Sequence, residues 1–104
     1  MNPVQLAQIR HRAMRWHLLA ALDLSRDQGM TTDALLPIVQ SVYPDATEHE
    51  VRRELDYLEK RELVDIRKDP LDVWIAELAR YGIDVVEYTV DCDAGISRPT
   101  ITRG

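Results

Sequence analysis

Residues Thr47 to Ile66 read TEHEVRRELDYLEKRELVDI, and this stretch decides the fold. Val51, Leu55 and Leu58 recur at i, i+4 and i+7, one narrow apolar stripe on a helix. Leu63, Val64 and Ile66 then continue as a short strand-like run. Thr47 is placed to cap the helix, with Glu50 three residues later to return the bond. The sequence therefore predicts a capped helix over 47–62 leading directly into a strand.

Upstream, Pro3 suits the first turn of a helix, and no further Pro or Gly occurs before Gly29, which predicts one long helix or two nearly continuous ones up to Gln28. Leu6, Ile9, Ala13, Trp16 and Ala20 follow one face of it; Leu18, Leu19 and Leu22 follow a neighbouring one. The apolar surface is wider than one contact needs, so residues 1–14 read as an extension seeking a partner, most simply a second copy in a homodimer. Thr31 or Thr32 can cap a second helix bearing Leu35, Leu36, Val39 and Val42, in which Pro37 deletes one backbone hydrogen bond and predicts a kink or a later start near Leu36. Pro44-Asp45 then supplies a short turn before Thr47.

Downstream, a strand over 63–67, a turn over 68–72 and a strand over 73–78 form a hairpin. Residues 80–90 fit a fourth helix through Ile83, Val86 and Val90, or a third strand through Val86, Tyr88 and Val90. Residues 91–104 lack a sustained period and read as an extended or mobile tail. The expected fold is mainly α with a small β-hairpin: a winged helix-turn-helix, α1-α2-α3-β-β-α4, with a long N-terminal helix, its domain at 15–90.

The string VRRELDYLEKRELVDI, the hairpin and LARYGIDVV resemble winged-helix transcriptional regulators of the MarR and PadR type. Leu55, Leu58, Leu63 and Val64 match their recognition helix and following strand, and Leu78, Gly82 and Val86 match the helix after the hairpin. Glu62 stands where such proteins commonly carry Gly, and Ala79 where they carry Thr. The whole chain also resembles small winged-helix proteins of Mu-like bacteriophages and prophages. That likeness favours a fourth helix at 80–90 and implies a phage-encoded protein of the bacterial cytoplasm, with no known catalytic or ligand residue to carry over.

Composition bounds the possible functions. The 104 residues, 45% hydrophobic and 30% charged, suit one compact domain. A single cysteine, Cys92, excludes an internal disulfide, and its neighbours Asp91 and Asp93 discourage a thiolate. No apolar run reaches membrane-spanning length and no secretory leader is evident, so a cytoplasmic protein without a membrane is expected. No metal-ligand spacing, phosphate loop or nucleophile elbow occurs, so neither a cofactor nor an enzyme is expected. The net charge of −5 argues against indiscriminate coating of nucleic acid, but the first 22 residues carry +3 and the rest −8.

With Val51, Leu55 and Leu58 turned inward, the outer face of helix 47–62 carries His49, Arg53, Asp56 and Lys60, flanked by Arg52 and Tyr57. Arg52 and Arg53 are the best candidates to read base edges of double-stranded DNA, with His49, Tyr57 and Lys60 in support. Arg67 and Lys68 at the hairpin, and Arg10, Arg12 and Arg15 on the N-terminal helix, are candidates for backbone contact. Two features oppose this reading. Glu48, Arg52, Asp56 and Lys60 form an i, i+4 ladder of alternating charge that needs no ligand, and the helix holds five glutamates and one aspartate, which repel phosphate. A protein-interaction module that uses the apolar face of residues 6–20 is the alternative.

Overall fold

A computed structural model describes residues 1–101. It contains α1 (Pro3–Asp23), β1 (Met30–Thr31), α2 (Thr32–Gln40), α3 (Glu48–Lys60), β2 (Val64–Lys68), β3 (Trp74–Leu78) and α4 (Arg80–Val86). The expected mixture, mainly helical with a small antiparallel sheet, is what the chain adopts, but the sheet has three strands in the order β1-β3-β2 rather than two.

Local chemistry marks each boundary. Asn2 caps α1 in a reciprocal box with Gln5: its Oδ1 accepts the Gln5 N–H at 2.9 Å, and the Gln5 Oε1 accepts the Asn2 N–H at 3.0 Å. Pro3 follows as the first helical residue. The helix is single and ends at Asp23, six residues before Gly29, because the amides of Leu24 and Ser25 bond back only three residues, to Ala21 and Leu22. Gly29 has a different task. At φ 73° it turns the chain into β1, and a Cβ there would lie 2.6 Å from the Ala76 carbonyl oxygen. Met30 and Thr31 then pair antiparallel with Ala76 and Ile75 of β3.

The α2 helix starts at Thr32, not near Leu36: Thr31 caps it by accepting the Ala34 N–H at 3.2 Å, and Pro37 is carried inside. Thr47 caps α3 as expected, its hydroxyl accepting the Glu50 N–H at 3.2 Å. Only half of the predicted box forms, because the Glu50 carboxylate is taken by Arg10. The three stripe residues Val51, Leu55 and Leu58 are fully buried, against Met14, Leu18, Leu19 and Leu22 of α1, Leu35 and Val39 of α2, and Leu63, Val64 and Ala76 from the sheet side.

The end of α3 closes on Glu62, at the position where a glycine most often ends a helix. The Leu63 amide donates to the Leu58 carbonyl at 3.0 Å and the Glu62 amide to the Glu59 carbonyl at 2.9 Å, a Schellman closure with Glu62 at φ 65°. A side chain in that left-handed conformation costs about 1–2 kcal/mol, part of which glycine returns as lost backbone freedom. Glu62→Gly is therefore expected to stabilise the protein by about 0.5–1 kcal/mol, read as a higher urea midpoint at unchanged slope.

The β2–β3 ladder runs from Val64 opposite Leu78 to Lys68 opposite Trp74. At its tip Asp69 Oδ1 accepts the N–H groups of Leu71 and Val73 at 2.8 and 2.9 Å, which fixes the turn. Residues 80–86 are helical, so the strand alternative for this segment does not apply. Residues 91–101 form neither helix nor strand and include a turn at 94–96, and they are anchored to the body through the buried Ile96 and several hydrogen bonds described below. Among the described residues no helix is long and apolar enough to cross a membrane.

Candidate functional site

The acids of α3 are the first question, since they oppose any anionic ligand. Most are engaged. Arg10 of α1 donates through Nε and Nη2 to the two carboxylate oxygens of Glu50, both at 2.8 Å, and through Nη1 to Asp45 at 2.9 Å. These hydrogen bonds hold the Glu50 and Asp45 carboxyls below the usual carboxylate range. Glu54, buried in the α1–α3 seam, lies 2.5 Å from His11 Nδ1 and 3.1 Å from Arg15 Nε. Glu48 pairs with Arg52 at 3.1 Å, and Glu59 accepts the Ile66 amide at 3.0 Å. Among the described residues, Asp56 and Glu62 are the α3-region acids without such a partner. Arg10, His11 and Arg15, in the middle of α1, thus cover acidic side chains of α3 instead of adding free positive charge.

This cover divides the ten candidate residues. Arg10 and Arg15 are committed to the seam; Arg15 also donates to the Gly95 carbonyl at 2.9 Å and lies 3.4 Å from the centre of the Tyr57 ring. Arg52 is committed to the hairpin. It donates to the Asp72 carboxylate at 2.9 Å and to the Asp72 carbonyl at 2.7 Å, and its guanidinium lies 4.7 Å from the Trp74 ring centre. The Asp72 carboxyl is held low chiefly by this bond. Lys68 lies over the other partner of that contact, its ammonium 4.2 Å from the Trp74 ring. Trp74 is therefore a core anchor under two cations rather than an open stacking platform.

Arg53 and Lys60 remain exposed on the outer face of α3, as does His49 one turn before Arg53, and no hydrogen bond or ion pair engages them among the described residues. Arg12 and Arg67 are likewise exposed, at the edges of the molecule. The alternating ladder predicted along this face forms only at its first rung, Glu48–Arg52, because Arg52 is drawn toward Asp72.

Arg53 and Lys60 open onto a groove of about 470 Å³ between α1 and α3. Its floor is the Glu54–His11–Arg15 cluster, and its rim is completed by Asp56, Tyr57 and Arg61. Arg61 was not evident as a functional residue in the sequence, although it lies one helical turn after Tyr57. Its guanidinium sits 3.4 Å from the Tyr57 ring centre, as does that of Arg15, so the phenol ring contacts two cations. Burial pushes the Tyr57 hydroxyl up, and it donates to Asp93 at 3.1 Å.

Asp93 belongs to the C-terminal segment, which runs across the α1–α3 seam. The Ser97 amide donates to the Arg12 carbonyl at 3.1 Å. Arg98 Nη1 donates to the carbonyls of Val85 and Val90 at 3.0 and 2.9 Å, and the Tyr88 hydroxyl to that of Pro99 at 2.7 Å. Cys92 is half-buried here, and burial pushes its thiol up, away from nucleophilic chemistry. Among the described residues no group of three His, Cys, Asp or Glu side chains is arranged to hold a metal ion.

Compared with known proteins, the chain matches no protein-family model and no curated protein sequence.

Proposed function

We propose that this protein is a small winged-helix DNA-binding protein, a regulator or accessory factor of the phage or prophage kind that its sequence resembles. In this reading α3 enters the major groove, Arg53 and Lys60 are its principal contacts, and His49 contributes from the first turn. The β2–β3 hairpin is the wing, with Arg67 at its edge, and Arg12 reaches the flanking backbone.

One observation carries the reading. Glu50 and Glu54 are covered by Arg10, His11 and Arg15, and Glu48 and Glu59 are tied up by Arg52 and a backbone amide, whereas Arg53 and Lys60 stay open on one face with Asp56, unpaired among the described residues, between them, two cations against one acid. Arg52 leaves the reading role proposed for it from sequence and becomes a brace between α3 and the hairpin.

A second reading, a protein-interaction module, draws on the first turns of α1. Val4, Leu6 and Ile9 remain 65%, 55% and 47% exposed. A second copy packed there would form the homodimer expected from sequence. Three side chains cover much less than the roughly 800 Å² per partner of a standard interface, so such a dimer needs further contacts or forms weakly.

The deciding experiment is a fluorescence-anisotropy titration against a labelled random-sequence duplex and the DNA flanking the gene, at low and moderate salt. Wild-type binding should weaken with salt as phosphate contacts release counterions. Arg53→Ala/Lys60→Ala should lower affinity about tenfold and reduce the slope of log K against log salt by about two, at unchanged melting temperature. Arg52→Ala should instead lower the melting temperature. Full binding by the Arg53/Lys60 variant would remove α3 from the argument, and no wild-type binding at low salt would favour the protein-interaction reading.

A further inference from the structure

One anion sits against the cations on the rim of the α3 groove, and the chain supplies it. Asp93 Oδ1 accepts the Tyr57 hydroxyl at 3.1 Å and the Gly95 amide at 2.6 Å, while Oδ2 lies 3.3 Å from Arg61 Nε. Arg61 and Tyr57 line the same groove as Arg53 and Lys60. A carboxylate is thus held by a guanidinium and a phenol beside two open cations, and the same donors suit a phosphodiester oxygen.

The contact is built to be replaceable. Arg61 and Asp93 are 40% and 41% exposed, so their attraction is screened and a denser external anion can displace the carboxylate. The segment does not depend on it, because Ile96, the Ser97 amide and Arg98 hold the chain at separate points. Asp93 can therefore give up Arg61 without the C-terminal segment leaving the body.

We propose that Arg61 and Tyr57 form a contact for the phosphate backbone of duplex DNA, and that Asp93 occupies it in the free protein. Binding then exchanges an internal carboxylate for an external phosphate, and the C-terminal segment lowers affinity for DNA by competing at one point. This rests on the reading of α3 as the DNA-facing helix.

The test is a titration of a labelled random-sequence duplex with wild type, Asp93→Asn, Asp91→Asn, Arg61→Ala and Asp93→Asn/Arg61→Ala, at several salt concentrations. Asn keeps an oxygen for the Gly95 amide and removes the charge; Asp93→Ser, whose hydroxyl also accepts that bond, is the second variant if Asn disturbs the segment. Asp93→Asn should bind about two- to fivefold tighter, the range of an exposed ion pair, with a salt slope steeper by about one. The gain should vanish in the Arg61→Ala background, and Asp91→Asn should not reproduce it. Equal affinity of Asp93→Asn and wild type, or a gain that persists without Arg61 or appears equally with Asp91→Asn, overturns the proposal. The Arg53→Ala/Lys60→Ala variant separates the two levels: if it loses binding while Asp93→Asn matches wild type, the α3 reading stands and the Asp93 exchange falls. If it binds as wild type does, the α3 reading falls.

Discussion

Gly82→Ala is expected to destabilise the fold by about 3 kcal/mol, the upper end of the usual cost of overpacking. A Cβ on Gly82 would lie 2.0 Å from the Leu63 carbonyl oxygen, 3.0 Å from its carbon and 3.2 Å from Leu78 Cδ2. The first two are backbone atoms, so no rotamer change relieves the clash. The carbonyl is also pinned, since it accepts the Ala79 amide at 3.0 Å just before α4, and Leu63 itself closes the end of α3. Relief must come from moving α4 off β3 and the end of α3, which uncovers Val85 and Leu78. In thermal unfolding the loss should appear as a fall of roughly 12–24 °C, taking about 4–8 °C per kcal/mol for a domain of this size. Urea unfolding followed by tryptophan fluorescence gives the free energy directly. A midpoint equal to wild type would show that α4 does not approach Leu63 this closely. Gly82 serves by its lack of volume; Gly29, with its positive φ, serves by conformation as well.

The elements that sequence patterning located are those whose partners are near in the chain. The Val51, Leu55 and Leu58 stripe, the Thr47 cap, Pro3 at the start of α1 and the hairpin at 63–78 all follow from patterns over at most about fifteen neighbouring residues, and each is present within a residue or two of its expected place. β1 was not legible, because two residues give no period and the strand exists only through pairing with β3, more than forty residues away. The candidate site divides in the same way. The outward positions of Arg53 and Lys60 follow from helix geometry alone. The commitment of Arg10, Arg15 and Arg52 does not, because their acids lie at 35, 40, 39 and 20 residues' separation and a local charge count cannot assign partners across the fold. The tail is similar: Ile96 is a single apolar residue, and the hydrogen bonds from Arg15 and Arg98 that fix its segment leave no periodic trace.

Glu54→Leu should cost about 2–3 kcal/mol, although leucine suits the helix and the seam. The carboxylate is 1% exposed and answers two basic groups, Arg15 with 15% and His11 with 30% of the side chain accessible. Breaking a buried pair by removing one partner costs about 3–5 kcal/mol because the other charge is left uncompensated, and the partial exposure of Arg15 and His11 reduces that figure here. The cost should therefore belong to the stranded cation rather than to the lost contact. Glu54→Leu/Arg15→Met, which removes both charges and keeps an apolar stem over Tyr57, should recover most of the stability, because buried ion pairs are often replaceable by apolar residues of similar volume. Glu54→Gln, which keeps the shape and one acceptor, should fall between Glu54→Leu and wild type. A double-mutant cycle in urea isolates the Glu54–Arg15 coupling. If Glu54→Leu alone unfolds at the wild-type midpoint, Arg15 is adequately solvated without Glu54 and is then free to act as the phosphate contact expected from sequence. If the double variant recovers, the Arg15 charge serves to balance Glu54 rather than to meet a ligand, and the positive face left for a nucleic acid on α3 is that of Arg53 and Lys60.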